Sequence, residues 1–235
     1  MKKFIKIMSV ALVIAAFVTC AVSCVGPTGK AKYDTSITGE GTDVRMSMVA
    51  NQVDRYKVED FEASKQKSDF VLIKIKNYGD IVVALRSDIA PTTVENFKSL
   101  VSAKFYDGTV FHRVIENFMI QGGGYSYVND KLTDRDSANI KGEFTSNGFT
   151  NNLAHIRGVI SMARANDPNS ASSQFFIMHQ VSASLDQKYA SFGYVLAGMD
   201  VVDKIAETNT VSSGGHDDVP VDPVVIESIT FVQPK

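Results

Sequence analysis

The pattern of apolar and polar positions changes near Asp69. From there Phe70-Val71-Leu72-Ile73-Lys74-Ile75-Lys76 is a run rich in β-branched and apolar residues. Asn77-Tyr78-Gly79-Asp80 supplies turn chemistry, and Ile81-Val82-Val83-Ala84-Leu85 is a second strand, so the pattern predicts a hairpin. A helix is expected just after Pro91, where Thr92 and Glu95 have the spacing of a capping box. Its buried stripe is Val94, Phe97, Leu100 and Val101. A second helix is expected over 200–207, with Val201, Val202 and Ile205 turned inward. Strand-like runs occur at 109–114, 118–121, 158–163, 174–178, 191–196 and 224–232. Many short strands with two helices predict a mainly β fold, a closed antiparallel barrel, since closure removes exposed sheet edges. Residues 24–67 are polar and weakly patterned, with Gly26-Pro27 and Gly39-Glu40-Gly41. They read as a flexible membrane-proximal linker ahead of a folded domain over 68–235. A short helix over 53–65 fits the linker pattern but carries no functional weight.

The first residues add a targeting element. Lys2, Lys3 and Lys6 precede an apolar run over 7–22 that ends in small residues. The run is short against the roughly 20 apolar residues of a spanning helix, and this order describes a secretory signal over 1–23. Ala21-Val22-Ser23-Cys24 resembles a bacterial lipobox, although Ala21 stands where Leu is usual. That implies lipid attachment at Cys24 and an extracytoplasmic, membrane-anchored lipoprotein. A simply cleaved signal and an uncleaved anchor are the alternatives. The chain has two cysteines, Cys20 and Cys24, so no disulfide framework exists beyond them. About 165 residues beyond the linker suffice for one core. The formal charge is −2 and becomes −5 when Lys2, Lys3 and Lys6 leave with the signal. That balance gives no electrostatic reason to bind nucleic acid.

Two segments carry candidate chemistry. Phe111-His112-Arg113-Val114-Ile115-Glu116-Asn117-Phe118-Met119-Ile120-Gln121-Gly122-Gly123 holds an arginine, two large apolar side chains and an amide. Two short strands joined by a turn at Glu116-Asn117 would put those groups on one barrel face. Gly158-Val159-Ile160-Ser161-Met162-Ala163-Arg164 leads into a polar loop, which returns at Ser173-Gln174-Phe175-Phe176-Ile177. Such loops present backbone groups for binding. Phe175 should face the core and Phe176 the opposite side.

In this order, these segments resemble the signatures of the cyclophilin family of peptidyl-prolyl cis-trans isomerases. Leu185-Asp186-Gln187-Lys188-Tyr189-Ala190-Ser191-Phe192-Gly193 resembles a third. The extended loop with Ala163-Arg164 resembles the bacterial branch. The resemblance spans about 69–232 and implies a closed eight-stranded antiparallel barrel capped by two α-helices, with a proline-binding groove on its outer wall. It places the catalytic arginine at Arg113 and the proline pocket at Phe118, Met119, Phe176 and Leu185. Gln121 falls on the glutamine that hydrogen-bonds the peptide. Ala163 and Arg164 line the groove for residues before proline, and Gln174 belongs to the second signature on the same substrate-binding surface. His112 is the signature histidine, and Tyr189 stands where many members have His. Ser184 stands where some members carry a Trp that contacts cyclosporin, so weak cyclosporin binding is expected.

The residue types suit that activity. An X–Pro bond is planar and isomerises in tens to hundreds of seconds. Rotation breaks conjugation and leaves a lone pair on the prolyl nitrogen. A permanently charged, planar donor such as Arg113 can hydrogen-bond it in the twisted state. Phe118, Met119 and Phe176 would bury the ring, and Gln121 would hold a peptide carbonyl. No cofactor is expected. His112, His155, His179 and His216 show no ligand spacing, so no metal is expected either. His112 reads as a hydrogen-bonded structural residue. Gly122-Gly123-Gly124 lacks the Lys-Ser/Thr ending of a P-loop and reads as a tight backbone bend. Ser173 and His179 show no hydrolase pattern. The partners expected are proline-containing, flexible polypeptides, bound by a tethered monomer. The rival reading is a proline-segment binding module, a chaperone or surface protein with incidental turnover.

Overall fold

A computed structural model describes residues 49–135 and 137–235. The signal over 1–23, Cys24 and the linker up to residue 48 lie outside the described residues. Eight antiparallel strands close into a ring. They are β2 (Phe70–Ile75), β3 (Gly79–Leu85), β4 (Thr109–Ile115), β5 (Met119–Val128), β7 (Val159–Met162), β8 (Phe175–Met178), β9 (Ser191–Ala197) and β12 (Val224–Pro234). The order is β12-β2-β3-β9-β7-β8-β5-β4, and β4 returns to β12 through Val224↔Phe111 and Val225↔Val110. Three short strands lie outside the ring beside β1 (Phe61–Ala63): β6 (Lys131–Asp134) pairs with β5, while β10 (Thr210–Ser213) and β11 (His216–Pro220) form a separate hairpin. Among the described residues, the α-helices of more than one turn are α1 (Pro91–Ser102) and α2 (Met199–Ala206).

The core follows from strand alternation. Inward residues such as Val71, Ile73, Ile75, Ile81, Val83 and Leu85 on β2 and β3 are buried. An aromatic group fills the interior beside them. Phe97 of α1 lies 5.1 Å from Tyr106, 5.7 Å from Phe175 and 5.3 Å from Phe192, centroid to centroid. Offset and edge contacts of this kind add to their large burial.

Two expectations are corrected here. Thr92 and Glu95 do not form a capping box: the N-cap is Ala90, with Pro91 at the first helical position. The open N–H groups are met by the distant carboxylate of Glu143. It accepts from Thr92 N (3.0 Å), Thr93 N (2.8 Å) and Thr93 Oγ1 (2.8 Å), and it is buried. A carboxylate at a helix N-terminus satisfies orphan donors and complements the dipole. Glu95 faces Lys67 instead.

The second correction concerns the linker, expected to run to residue 67. Its last part is folded against the domain as a strap. β1 pairs with β12 by Phe61↔Pro234 and Ala63↔Val232. Val49 and Phe61 are buried. Asp54 Oδ1 accepts the N–H groups of Gly198 (3.0 Å) and Met199 (3.1 Å), capping α2. In place of a helix over 53–65 there is one 3-10 turn, Val58–Asp60, followed by β1.

Candidate active site on the outer wall of the barrel

The site is built by register. Arg113 on β4 pairs with Gln121 on β5, Gln121 with Phe176 on β8, and Phe176 with Ser161 on β7. Directly paired residues share a face, so these four side chains form one row across four strands on the outer wall. Strict alternation would place Phe111 and Arg113 on the same face. The pairing steps from Phe111↔Gly122 to Arg113↔Gln121, leaving His112 as an extra residue. That bulge turns Phe111 into the core and Arg113 out, the re-aiming that bulges provide. Asn117 takes the left-handed conformation in the connecting turn (φ 61°). Its N–H donates to His179 Nδ1 at 2.8 Å.

Arg113, Phe118, Met119, Gln121, Ala163, Arg164, Phe176, Leu185 and Tyr189 line one open cavity of about 140 Å³. Met119 and Phe176 form its buried floor, and Phe118, Leu185 and Tyr189 are half-buried on its walls. Phe175 points inward, and the Tyr189 ring meets Phe176 edge-on at 6.0 Å. The Arg164 guanidinium lies over the rings of Tyr189 (4.7 Å) and Phe144 (5.1 Å). Its donors are spent on the carbonyls of Lys188 and Ala165, so it shapes a wall. Arg113 is different: its ion pair is with Asp218, from Nε at 3.5 Å. No hydrogen bond among the described residues engages its Nη groups.

Two expected site residues lie behind this cavity. Gln174 accepts from Gln121 Nε2 at 2.9 Å and so orients that amide. A side chain at Gly124 would collide with it, since a Cβ there would lie 2.3 Å from Gln174 Cγ. The three glycines are part of β5, with Gly123 at φ 84°, and form a kink within a strand. His112 is buried, with its ring 4.5 Å from Tyr125. Burial and the nearby His216 push its pKa down to about 4, so it is neutral at ordinary pH. Gln174 and His112 line a second cavity of about 340 Å³, with Arg113, Gln121, Tyr125, His216, Asp217 and Asp218.

Several contributors were missed from sequence. Asp218, His216 and Tyr125 border Arg113 or His112, yet they come from segments with no local motif. His155 is buried beneath the groove. Its Nδ1 lies 2.9 Å from Asp186 and its Nε2 3.0 Å from Ser161 Oγ. This is the arrangement of a hydrolase triad, but Ser161 is 0% exposed and borders neither cavity. The group braces the site instead, because the His155 ring stacks on Phe176 at 5.9 Å and 19°. Burial disfavours the Asp186 carboxylate, but hydrogen bonds from His155 outweigh it and hold its pKa below the usual value. Ser173 and His179 are not joined. Ser173 is buried, and His179 pairs with Asp203 at 3.2 Å. Among the described residues, no three His, Cys, Asp or Glu side chains cluster as metal ligands.

Residues 70–231 match the family model described as cyclophilin type peptidyl-prolyl cis-trans isomerase/CLD. The chain is 48% identical over 159 residues to a peptidyl-prolyl cis-trans isomerase of Acinetobacter baylyi, covering 65% of this chain and 80% of that protein. It is 43% identical over 163 residues to peptidyl-prolyl cis-trans isomerase B of Escherichia coli, covering 66% and 94% respectively. A crystal structure of a cyclophilin type peptidyl-prolyl cis-trans isomerase from Cryptosporidium parvum, in the presence of the dipeptide Ala-Pro, superposes with a TM-score of 0.56. Identity is 28%, over 69% of this chain and 98% of that one.

Proposed function

The chain belongs to the cyclophilin-type peptidyl-prolyl cis-trans isomerase family, and from that premise we propose that Arg113 drives X–Pro rotation in exported polypeptides. One observation carries the reading. Among the described residues, no hydrogen bond engages the Nη groups of Arg113, which lines a cavity floored by Met119 and Phe176. A proline ring seated among Phe118, Met119, Phe176 and Leu185 fixes one side of the rotating bond. Gln121, oriented by Gln174, holds a peptide carbonyl on the other. As conjugation breaks, the prolyl nitrogen becomes basic and accepts from Arg113. The donor waits in place, so the interaction strengthens in the twisted state alone. The Ala-Pro dipeptide named with the Cryptosporidium parvum relative is the size of ligand such a cavity would take.

The mechanism needs no proton transfer, nucleophile or redox step from the protein. Neutral His112 stays outside the reaction. Turnover on a proline-containing tetrapeptide is expected to fall about a hundredfold in Arg113→Ala, as for loss of one preorganised donor, with the fold intact by circular dichroism. A variant that keeps wild-type turnover would remove Arg113 from the mechanism. Survival of the biological role in an inactive Arg113→Ala strain would favour the binding-module reading.

The basic-apolar-small order of 1–23 and Cys24 support a substrate compartment outside the cytoplasm. The protein is read as a tethered monomer with its groove facing flexible chains outside the cytoplasm. Mass spectrometry of the mature N-terminus tests this: a diacylated Cys24 is expected, and an intact Met1 contradicts it.

A further inference from the structure

The β10–β11 hairpin stands outside the barrel ring, yet it packs beside β4, the strand that carries Arg113. Its pairing runs Val211↔Val219 and then Ser213↔His216. Asp217 and Asp218 therefore oppose the single residue Ser212, which makes a β-bulge. Within it Asp218 takes a left-handed conformation (φ 59°). That conformation is uncommon for a residue with a side chain, and aspartate is among the few that tolerate it. Asp217 is tied back to the hairpin, accepting from Ser212 Oγ at 2.7 Å. Asp218 reaches across instead, with Oδ2 3.5 Å from Arg113 Nε.

We infer that Asp218 is a positioning residue for the isomerase reaction, holding the Nε edge of Arg113 so that both Nη groups remain available to the proline cavity. The inference rests on the reading of Arg113 as donor to the prolyl nitrogen. Its physical basis is orientation. The Arg113 side chain is 42% exposed and long, and without a partner it would sample many rotamers. Each turnover would then have to reorder it. The carboxylate also opposes this benefit by drawing on the charge of the guanidinium, so the two effects have different signatures in variants.

Asp218→Gly suits the left-handed backbone and removes the carboxylate. Asp218→Asn also suits it, keeps an oxygen acceptor and removes the charge. The experiment measures kcat and KM on a proline-containing tetrapeptide for both variants, alone and combined with Arg113→Ala. It also follows hydrogen exchange at the Arg113 Nε–H by NMR. In Asp218→Gly, kcat is expected to fall about fivefold, the scale of a partly exposed ion pair. KM should stay within about twofold. Asp218→Asn should fall between wild type and Gly, Nε–H exchange should quicken in the Gly variant, and neither change should matter once Arg113 is Ala. Wild-type kcat in Asp218→Gly overturns the inference. So does a faster Asn variant, or an equal fractional loss in the Arg113→Ala background. Should Arg113→Ala itself keep full turnover, the fault lies in the underlying mechanism, whatever the Asp218 variants do.

Discussion

At the scale of single residues, the candidate site was legible where its residues are local in sequence. Arg113, Phe118, Met119 and Gln121 stand within nine positions, and one hairpin brings them together whatever else the chain does. Asp218 was not legible, because about a hundred residues and a bulge separate it from Arg113. His112 makes a pH-dependent prediction. Burial, and then the charge of His216, lower its pKa to about 4, and Arg113 adds in the same direction. An unfolded histidine titrates near 6.5, so above that pH this residue leaves stability untouched. As pH falls below 6.5, the unfolded chain takes up the proton first. Stability then declines until folded His112 protonates near 4, by up to about 3 kcal/mol. Urea unfolding at pH 7 and 4.5 checks this, with a shallower decline expected in His112→Gln. Ser184, next in the chain to the cavity residue Leu185, is exposed, its hydroxyl 3.0 Å from Ser182 Oγ. Ser184→Trp supplies an aromatic surface there and is expected to tighten cyclosporin binding about tenfold by calorimetry. Unchanged affinity removes Ser184 from that role.

At the scale of elements, periodicity located all eight ring strands and both helices to within a few residues, with β5 extending to Val128, well beyond the expected 118–121. The accessory strands β1, β6, β10 and β11 escaped, being three to five residues long and largely polar or exposed. The start of α1 shows a different limit. The Thr92–Glu95 spacing satisfies a local rule, but a tertiary partner supplies the cap. Glu143 sits 50 and 51 positions away from the two N–H groups it accepts. Glu143→Ala leaves these donors and Thr93 Oγ1 unmet in a buried setting, costing about 2–3 kcal/mol. Glu143→Gln keeps an acceptor and should lose about half as much. Urea midpoints at constant m-value test both, and an Ala variant as stable as wild type would show that water replaces the carboxylate.

At the scale of the whole molecule, the domain is larger than its matched region. The strap over 49–63 lies outside the stretch matched by the family model, yet it contributes buried Val49 and Phe61, an added strand and the Asp54 cap on α2. Phe61 also contacts the Tyr56 and Phe70 rings at 6.3 and 6.0 Å. A variant starting at Ser68 is expected to melt about 4–8 °C below one starting at Val49 by calorimetry, the shift that about 2 kcal/mol gives in a domain of this size. An equal Tm would show the strap to be a passive covering. The polar composition of 24–67 concealed this, since a strap of one strand and one cap needs few apolar residues. The exposed part of the row, from Arg113 to Phe176, bears on which clients the proposed isomerase would serve. It crosses two interstrand gaps of about 4.8 Å, roughly 10 Å, while an extended peptide advances about 3.3 Å per residue. The footprint expected on a client is thus about three residues. On the proposed reading, a bend protruding from an otherwise finished protein is expected to fit as readily as a nascent chain, which would bring late conformational errors at surface prolines within its reach.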